Sequence, residues 1–197
     1  MADLRPILCV VAGPNGSGKT STTEKLLTNE WAADSVYINP DNIAQDKFGD
    51  WNSQEAVVKA AECATQMRYQ CLEERKNFVF ETVFSAPEKL EFLEKAKQAG
   101  YFIRFFYVCT EDPTINILRI AQRYINGGHE VPISKILDRY YKSLDQASDA
   151  ISFVDRAYVY DNSRVNELPQ LLFRTVEGRL AKQYVENIPA WALPLME

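Results

Sequence analysis

No run of apolar residues in this sequence approaches the ~20 needed to cross a bilayer. The apolar stretch near the amino terminus is too short for a signal peptide and leads straight into a glycine-rich loop, so a cytoplasmic protein is expected. Basic charge is not in excess. Lys and Arg number 22 against 27 Asp and Glu, a net charge of −5, which argues against a general nucleic-acid binder. The four cysteines (Cys9, Cys63, Cys71, Cys109) show no C-x-x-C spacing, so buried free thiols are expected rather than a metal or disulfide. There is no internal repeat, low-complexity segment or linker, and 197 residues suit a single domain over 1–197. No hhhhD run of the Walker B kind occurs, nor an LSGGQ-like signature of transporter ATPases.

Three of the 8 glycines fall in one octet, Gly13-Pro14-Asn15-Gly16-Ser17-Gly18-Lys19-Thr20. This is G-x-x-x-x-G-K-T, the phosphate-binding P-loop. Glycines let successive N–H groups turn inward onto an anion, and the following helix adds its amino-terminal dipole. Lys19 is positioned for the β- and γ-phosphates of ATP, and the Thr20 hydroxyl for Mg²⁺. Ser21 completes the expected nucleotide cradle. The context agrees: Pro6 to Ala12 (PILCVVA) reads as a buried parallel strand and Ser21 to Thr28 as an amphipathic helix.

The remaining chain predicts an α/β fold. We expect a three-layer sandwich with a mostly parallel five-stranded sheet, helices on both faces and a helical lid over roughly 111–150. The second strand, Ser35 to Asn39, is stopped by Pro40 and leaves Asp41 at its carboxyl end, where open sheets place ligands. Asn52 to Lys76 reads as one helix with a packing stripe of Ala56, Ala60, Ala64, Met67 and Cys71. The third strand, Phe78 to Thr82, ends in Glu81 and Thr82, and Glu81 is the nearest candidate for the Walker B corner. A helix over Ala86 to Ala99 and a strand over Phe102 to Cys109 follow. The next helix, capped by Thr110, carries Arg119 and Arg123 on one face. Gly127-Gly128-His129 breaks it, and a further helix from about Ser134 brings Arg139. Two basic helices about a glycine hinge have the organisation of a lid that closes on a phosphorylated substrate. The fifth strand, Ala157 to Tyr160, leads to Asn162, expected beside the nucleotide base. Glu167 to Glu186 reads as helical and the tail from Ile188 as irregular.

In order, GPNGSGKT, INPDNIA, FETVFS, R-x-x-x-R before GGHEVP, DRYYKSL and a strand ending YDNS together resemble the zeta-toxin family of P-loop kinases over most of Ile7 to Ser163. The resemblance implies ATP and Mg²⁺ as cofactors, held by Lys19 and Thr20. It implies phosphorylation of a sugar hydroxyl of a nucleotide sugar, UDP-N-acetylglucosamine, with an antitoxin protein as partner. It implies Asp41 as base, Glu81 and Thr82 in contact with the acceptor or metal, and Arg123 on the transferring phosphate. Where toxin members place an arginine three residues before the lid proline, this chain has His129, and Arg139 is the available replacement. Arg119 and His129 are then expected on the acceptor side. A kinase of another hydroxyl acceptor and a non-catalytic ATP-binding regulatory module are the alternatives. The strand-end Asp41 and the clustered arginines favour catalysis, since a binding module needs neither.

Overall fold

The computed structural model describes residues 5–29, 32, 34–49, 53–125 and 131–196. Strand β1 (Ile7–Ala12) is the middle one of five parallel strands, flanked on both sides. The other strands are β2 (Val36–Ile38), β3 (Phe78–Thr82), β4 (Phe102–Cys109), β5 (Arg156–Asp161), β6 (Gln170–Val176) and β7 (Arg179–Gln183). They form one sheet in the order β2-β3-β1-β4-β5-β6-β7. The first five strands in that order are parallel, and β6 and β7 are antiparallel additions at one edge.

Helices α1 (Lys19–Leu27), α2 (Pro40–Phe48), α3 (Gln54–Glu73), α4 (Pro87–Gln98), α5 (Pro113–Ile125) and α6 (Ile133–Phe153) link the strands. The continuous apolar run of β1 is explained by its two covered faces. Leu8, Val10 and Ala12 join the core under α2, α3, α4 and α6. Cys9 and Val11 join a smaller core that includes Leu26 of α1. A third cluster, Ile120, Val131 and Ile136, ties α5 to the start of α6. Farther along α6, Tyr140, Ala147, Ala150 and Ile151 sit in the main core, so most of this helix is fixed scaffold.

The five parallel strands agree with expectation; the sheet has seven strands because Glu167 to Glu186 is not a helix. Leu172, Phe173 and Thr175 are buried in β6, and the hairpin turns at Glu177 and Gly178, both with positive φ (50° and 75°). That pair suits the tight two-residue turn whose twist matches antiparallel strands. A Cβ on Gly178 would meet the Ser152 carbonyl at 2.5 Å, so the turn also packs on the end of α6. The tail forms a 3-10 turn over Ala190–Met196 with Ala192 and Leu195 buried. The stretch read as one helix from Asn52 to Lys76 is Gln54–Glu73, capped by the Ser53 hydroxyl. All four cysteines are free, with Cys9, Cys71 and Cys109 buried. Among the described residues no helix is long and apolar enough to cross a membrane.

Candidate active site

The site is built where β1, β3 and β4 end. Gly13 leaves β1 at φ 150°, and a Cβ there would lie 2.0 Å from the Val108 carbonyl of β4. Gly16 and Gly18 have φ of 78° and 89°. A Cβ on Gly16 would meet the Asn116 carbonyl at 2.7 Å, and one on Gly18 the Asn162 amide at 2.2 Å. The loop therefore needs glycine for its turns and for the crowding around it. The neighbours that crowd it also hold it. Asn116 Nδ2 donates to the Asn15 carbonyl at 2.6 Å, and Asn162 Nδ2 donates to the Ser17 carbonyl at 2.8 Å. Asn116 is in turn held by the Thr110 hydroxyl, which donates to its Oδ1. Tyr140 of α6 anchors the same corner by donating to the Thr110 carbonyl at 2.5 Å.

Inside the loop, Lys19 Nζ donates to the carbonyls of Gly13 (2.9 Å) and Pro14 (3.0 Å). Burial lowers its pKa to about 8; the nearby charges of Glu81 and Asp41 oppose that shift and Arg123 adds to it. These three groups are thus close enough to act on the P-loop lysine. Ser17 is fully buried, and its hydroxyl has no partner among the described residues. Thr20 and Ser21 are exposed in the first turn of α1. A glycine-formed cradle, an unpaired buried hydroxyl and a desolvated ammonium together fit a polyphosphate.

Asp41 lies in the first turn of α2 and is exposed. It does not cap the helix. Asn39 does, accepting from the Asp41 N–H at 2.9 Å, which leaves the Asp41 carboxylate free of that duty. Glu81 is 8% exposed and accepts a hydrogen bond from the Tyr37 hydroxyl at 2.6 Å, while Asn39 Nδ2 donates to Tyr37 Oη at 2.9 Å. Alternation along β3 sends Glu81 towards α1 and Tyr37, and sends Phe80 and Thr82 towards α3 and α4. Thr82 Oγ1 accepts from the N–H of Phe84, a buried residue with φ 57°, where a β-carbon is disfavoured. Phe84 is held there by packing on Phe105, ring centroids 5.1 Å apart.

Beyond the strand ends lies a cavity of about 700 Å³, bounded by Pro40, Arg68, Glu81, Thr82, Glu88 and Arg139. Arg139 spans cavity and P-loop, its Nη1 donating to Asn15 Oδ1 at 3.2 Å. Of the residues expected to act together, Glu81, Thr82 and Arg139 line this cavity, and Glu81 and Asp41 are near enough to Lys19 for their charges to act on it. Arg123 is exposed on α5 with its charge felt at Lys19. Arg119 departs from the acceptor-side expectation: it donates to the Arg164 carbonyl at 3.3 Å and lies near Asp161, beyond the end of β5. Asn162, expected at the base, has its amide committed to Ser17. His129 and the glycine hinge lie outside the described residues. Sequence reasoning missed Tyr37, Asn116 and Arg68. An arginine four residues after Ala64, in the line of the small-residue stripe of α3, was the available signal for the last.

The parallel sheet with its loop between β1 and α1 has the P-loop kinase architecture. The zeta toxin family model matches residues 1–169. The chain belongs to the zeta toxin family and is an ATP-dependent phosphotransferase with a hydroxyl acceptor. A protein of Haemophilus influenzae, described only as uncharacterised, is 26% identical over 128 residues, covering 65% of this chain and 88% of that one. The fold is similar to a structure of the PezAT chromosomal toxin–antitoxin system of Streptococcus pneumoniae, with TM-score 0.62 and 17% identity, covering 88% of this chain and 73% of that chain. It is also similar to the AvrRxo1-ORF1:-ORF2 complex, with TM-score 0.70 and 14% identity over 98% of this chain. The present chain spans only 64% of that one.

Proposed function

We propose that this protein transfers the γ-phosphate of ATP to a hydroxyl of a nucleotide sugar, with UDP-N-acetylglucosamine as the first candidate acceptor. The observation that carries this reading is the position of the cavity. It is lined by the strand-end residues Pro40, Glu81 and Thr82 and by Arg139, which also bonds Asn15 of the P-loop, so an acceptor there would lie beside the donor phosphates. Its volume is in the range that small-molecule sites occupy.

In this reading Gly13 to Ser21 bind ATP through backbone N–H groups, and Lys19 neutralises the β- and γ-phosphates. Asp41 accepts the proton of the acceptor hydroxyl as its oxygen attacks the γ-phosphorus and ADP leaves. Arg123 and Arg139 balance charge on the transferring group. Among the described residues no three His, Cys, Asp or Glu side chains cluster to hold a metal. Mg²⁺ commonly relies on one or two protein oxygens plus substrate phosphates, and Thr20 and Glu81 are the groups we assign to it. The ion would supply charge neutralisation at the phosphates. We take the lid to be the later part of α5 with the first turn of α6, narrower than 111–150, since Asn116 of α5 is tied to the P-loop and the rest of α6 is packed into the core. We place the protein in the cytoplasm with its ATP. We also infer a protein partner of the antitoxin kind, in line with the toxin–antitoxin system in which a similar fold is found.

The test is an acceptor panel of nucleotide sugars, free sugars and nucleosides incubated with ATP and Mg²⁺ and read by mass. Addition of one phosphate to a nucleotide sugar supports the reading. Labelling of other acceptors alone replaces the substrate, and ATP binding without labelling of any acceptor rejects catalysis.

A further inference from the structure

Arg68, from the carboxyl-terminal half of α3, is 4% exposed, yet it has no ion pair among the described residues. Its guanidinium lies over the rings of Phe80 (5.2 Å) and Phe92 (5.7 Å). The one hydrogen bond it makes among the described residues runs from Nη2 to Thr65 Oγ1 at 2.9 Å; Nε is enclosed without an acceptor. Glu88 is near enough for its charge to be felt, but its carboxylate is paired with Lys89 at 2.9 Å. Glu81 is committed to Tyr37. The remaining carboxylate on the cavity wall, Glu62, is exposed and makes no ion pair with Arg68.

A buried cation with unused donors is costly unless something pairs with it. Stacking on two phenyl rings recovers part of that cost, but a methionine would fill the same space without it. Arg68 also stands on the wall of the acceptor cavity. Its guanidinium lies on the sheet face of Phe80, the face that Thr82 shares by alternation, and it lines the same cavity as Glu81 and Thr82. Planar paired donors suit the oxygens of phosphate or carboxylate.

We propose that Arg68 is the anion anchor of the acceptor pocket, holding a phosphate or carboxylate group carried by the acceptor while its hydroxyl is presented at Asp41. The inference rests on the kinase reading for the identity of the cavity. It adds the residue that grips the acceptor's anionic group, and with it the expectation that neutral sugars and nucleosides are poor substrates.

The test fills the P-loop with a non-hydrolysable ATP analogue and Mg²⁺, then titrates inorganic pyrophosphate or malonate into wild type, R68M and R68K by calorimetry. Wild type is expected to bind one anion per chain. R68M should lose tenfold or more in affinity, and R68K, which keeps stem and charge, should lose severalfold, with affinity for the ATP analogue equal in all three. If R68M does not fold, R68K against wild type decides. Pyrophosphate binding points to a phosphorylated acceptor and malonate binding alone to a carboxylate one; either supports the anchor. Absence of anion binding in wild type, or unchanged affinity in the variants, overturns it. Phosphotransfer to a nucleotide sugar with no anchor effect overturns this inference alone. An intact anchor effect without such transfer overturns the nucleotide-sugar reading and leaves the anchor standing.

Discussion

The Tyr37 hydroxyl donates to Glu81 Oε1 at 2.6 Å, tying the end of β2 to the end of β3 across the mouth of the site. Burial raises the Tyr37 pKa far above the tyrosine range, and the hydrogen bond to Glu81 adds to that, so the phenol stays a donor at any working pH. It orients a carboxylate that is otherwise buried. Tyr37→Phe should cost about 1 kcal/mol of stability. It should also raise the Mg²⁺ concentration needed for half-maximal activity, because Glu81 is no longer held. Equal Mg²⁺ dependence in the variant and wild type would remove Glu81 from the metal.

Lys19 gives the free protein a specific pH signature. Its folded pKa, about 8, lies below the ordinary 10.5, with burial the main cause. Between those values the unfolded chain binds more protons, so stability rises with pH across that window, and below about 8 the cost is present in full. Thermal unfolding of wild type against Lys19→Met, scanned from about pH 7 to 10, should show the wild type gaining on the variant as pH rises. ATP affinity should weaken over the same range, since the protonated lysine is the form that pairs with phosphate. A difference in melting temperature that stays flat with pH would contradict the assignment.

Asn116 is the clamp beneath the loop. Asn116→Ala leaves the Asn15 carbonyl and the Thr110 hydroxyl without this partner. We expect a loss of about 1–3 kcal/mol in stability. The KM for ATP should rise more than the KM for the acceptor. Denaturant melts and steady-state kinetics check both. Asn116→Asp, which keeps the acceptor atom but not the amide donor, should reproduce the ATP effect.

The parts of this molecule that were legible in the sequence are those where local pattern and tertiary role coincide. PILCVVA could only be a strand covered on both faces, and GPNGSGKT carried its own backbone geometry. Asp41 and Glu81 stood out because each follows an apolar strand run. The hairpin of β6 and β7 was hidden by charged residues of good helix propensity around Leu171 to Phe173; the Glu177-Gly178 turn outweighs them because both residues take positive φ. Arg119 and Arg123 share a helix face by spacing, but Arg119 meets the Arg164 carbonyl while the charge of Arg123 is felt at Lys19. Arg68 and Asn116 were invisible as site residues because their meaning depends on what packs beside them. Spacing shows which residues share a face, not which neighbour that face meets.

The central claim is that Lys19 and Asp41 are the donor and acceptor halves of one phosphotransfer site. It is tested most directly by the mass of UDP-N-acetylglucosamine after incubation with ATP, Mg²⁺ and the wild-type, Lys19→Met or Asp41→Asn protein. The account predicts a gain of one phosphate with wild type. With Asp41→Asn it predicts a fall in rate of about a hundredfold or more, despite retained ATP binding and a normal melt. With Lys19→Met it predicts no detectable product. An unchanged mass with wild type, or wild-type turnover by Asp41→Asn, would contradict it.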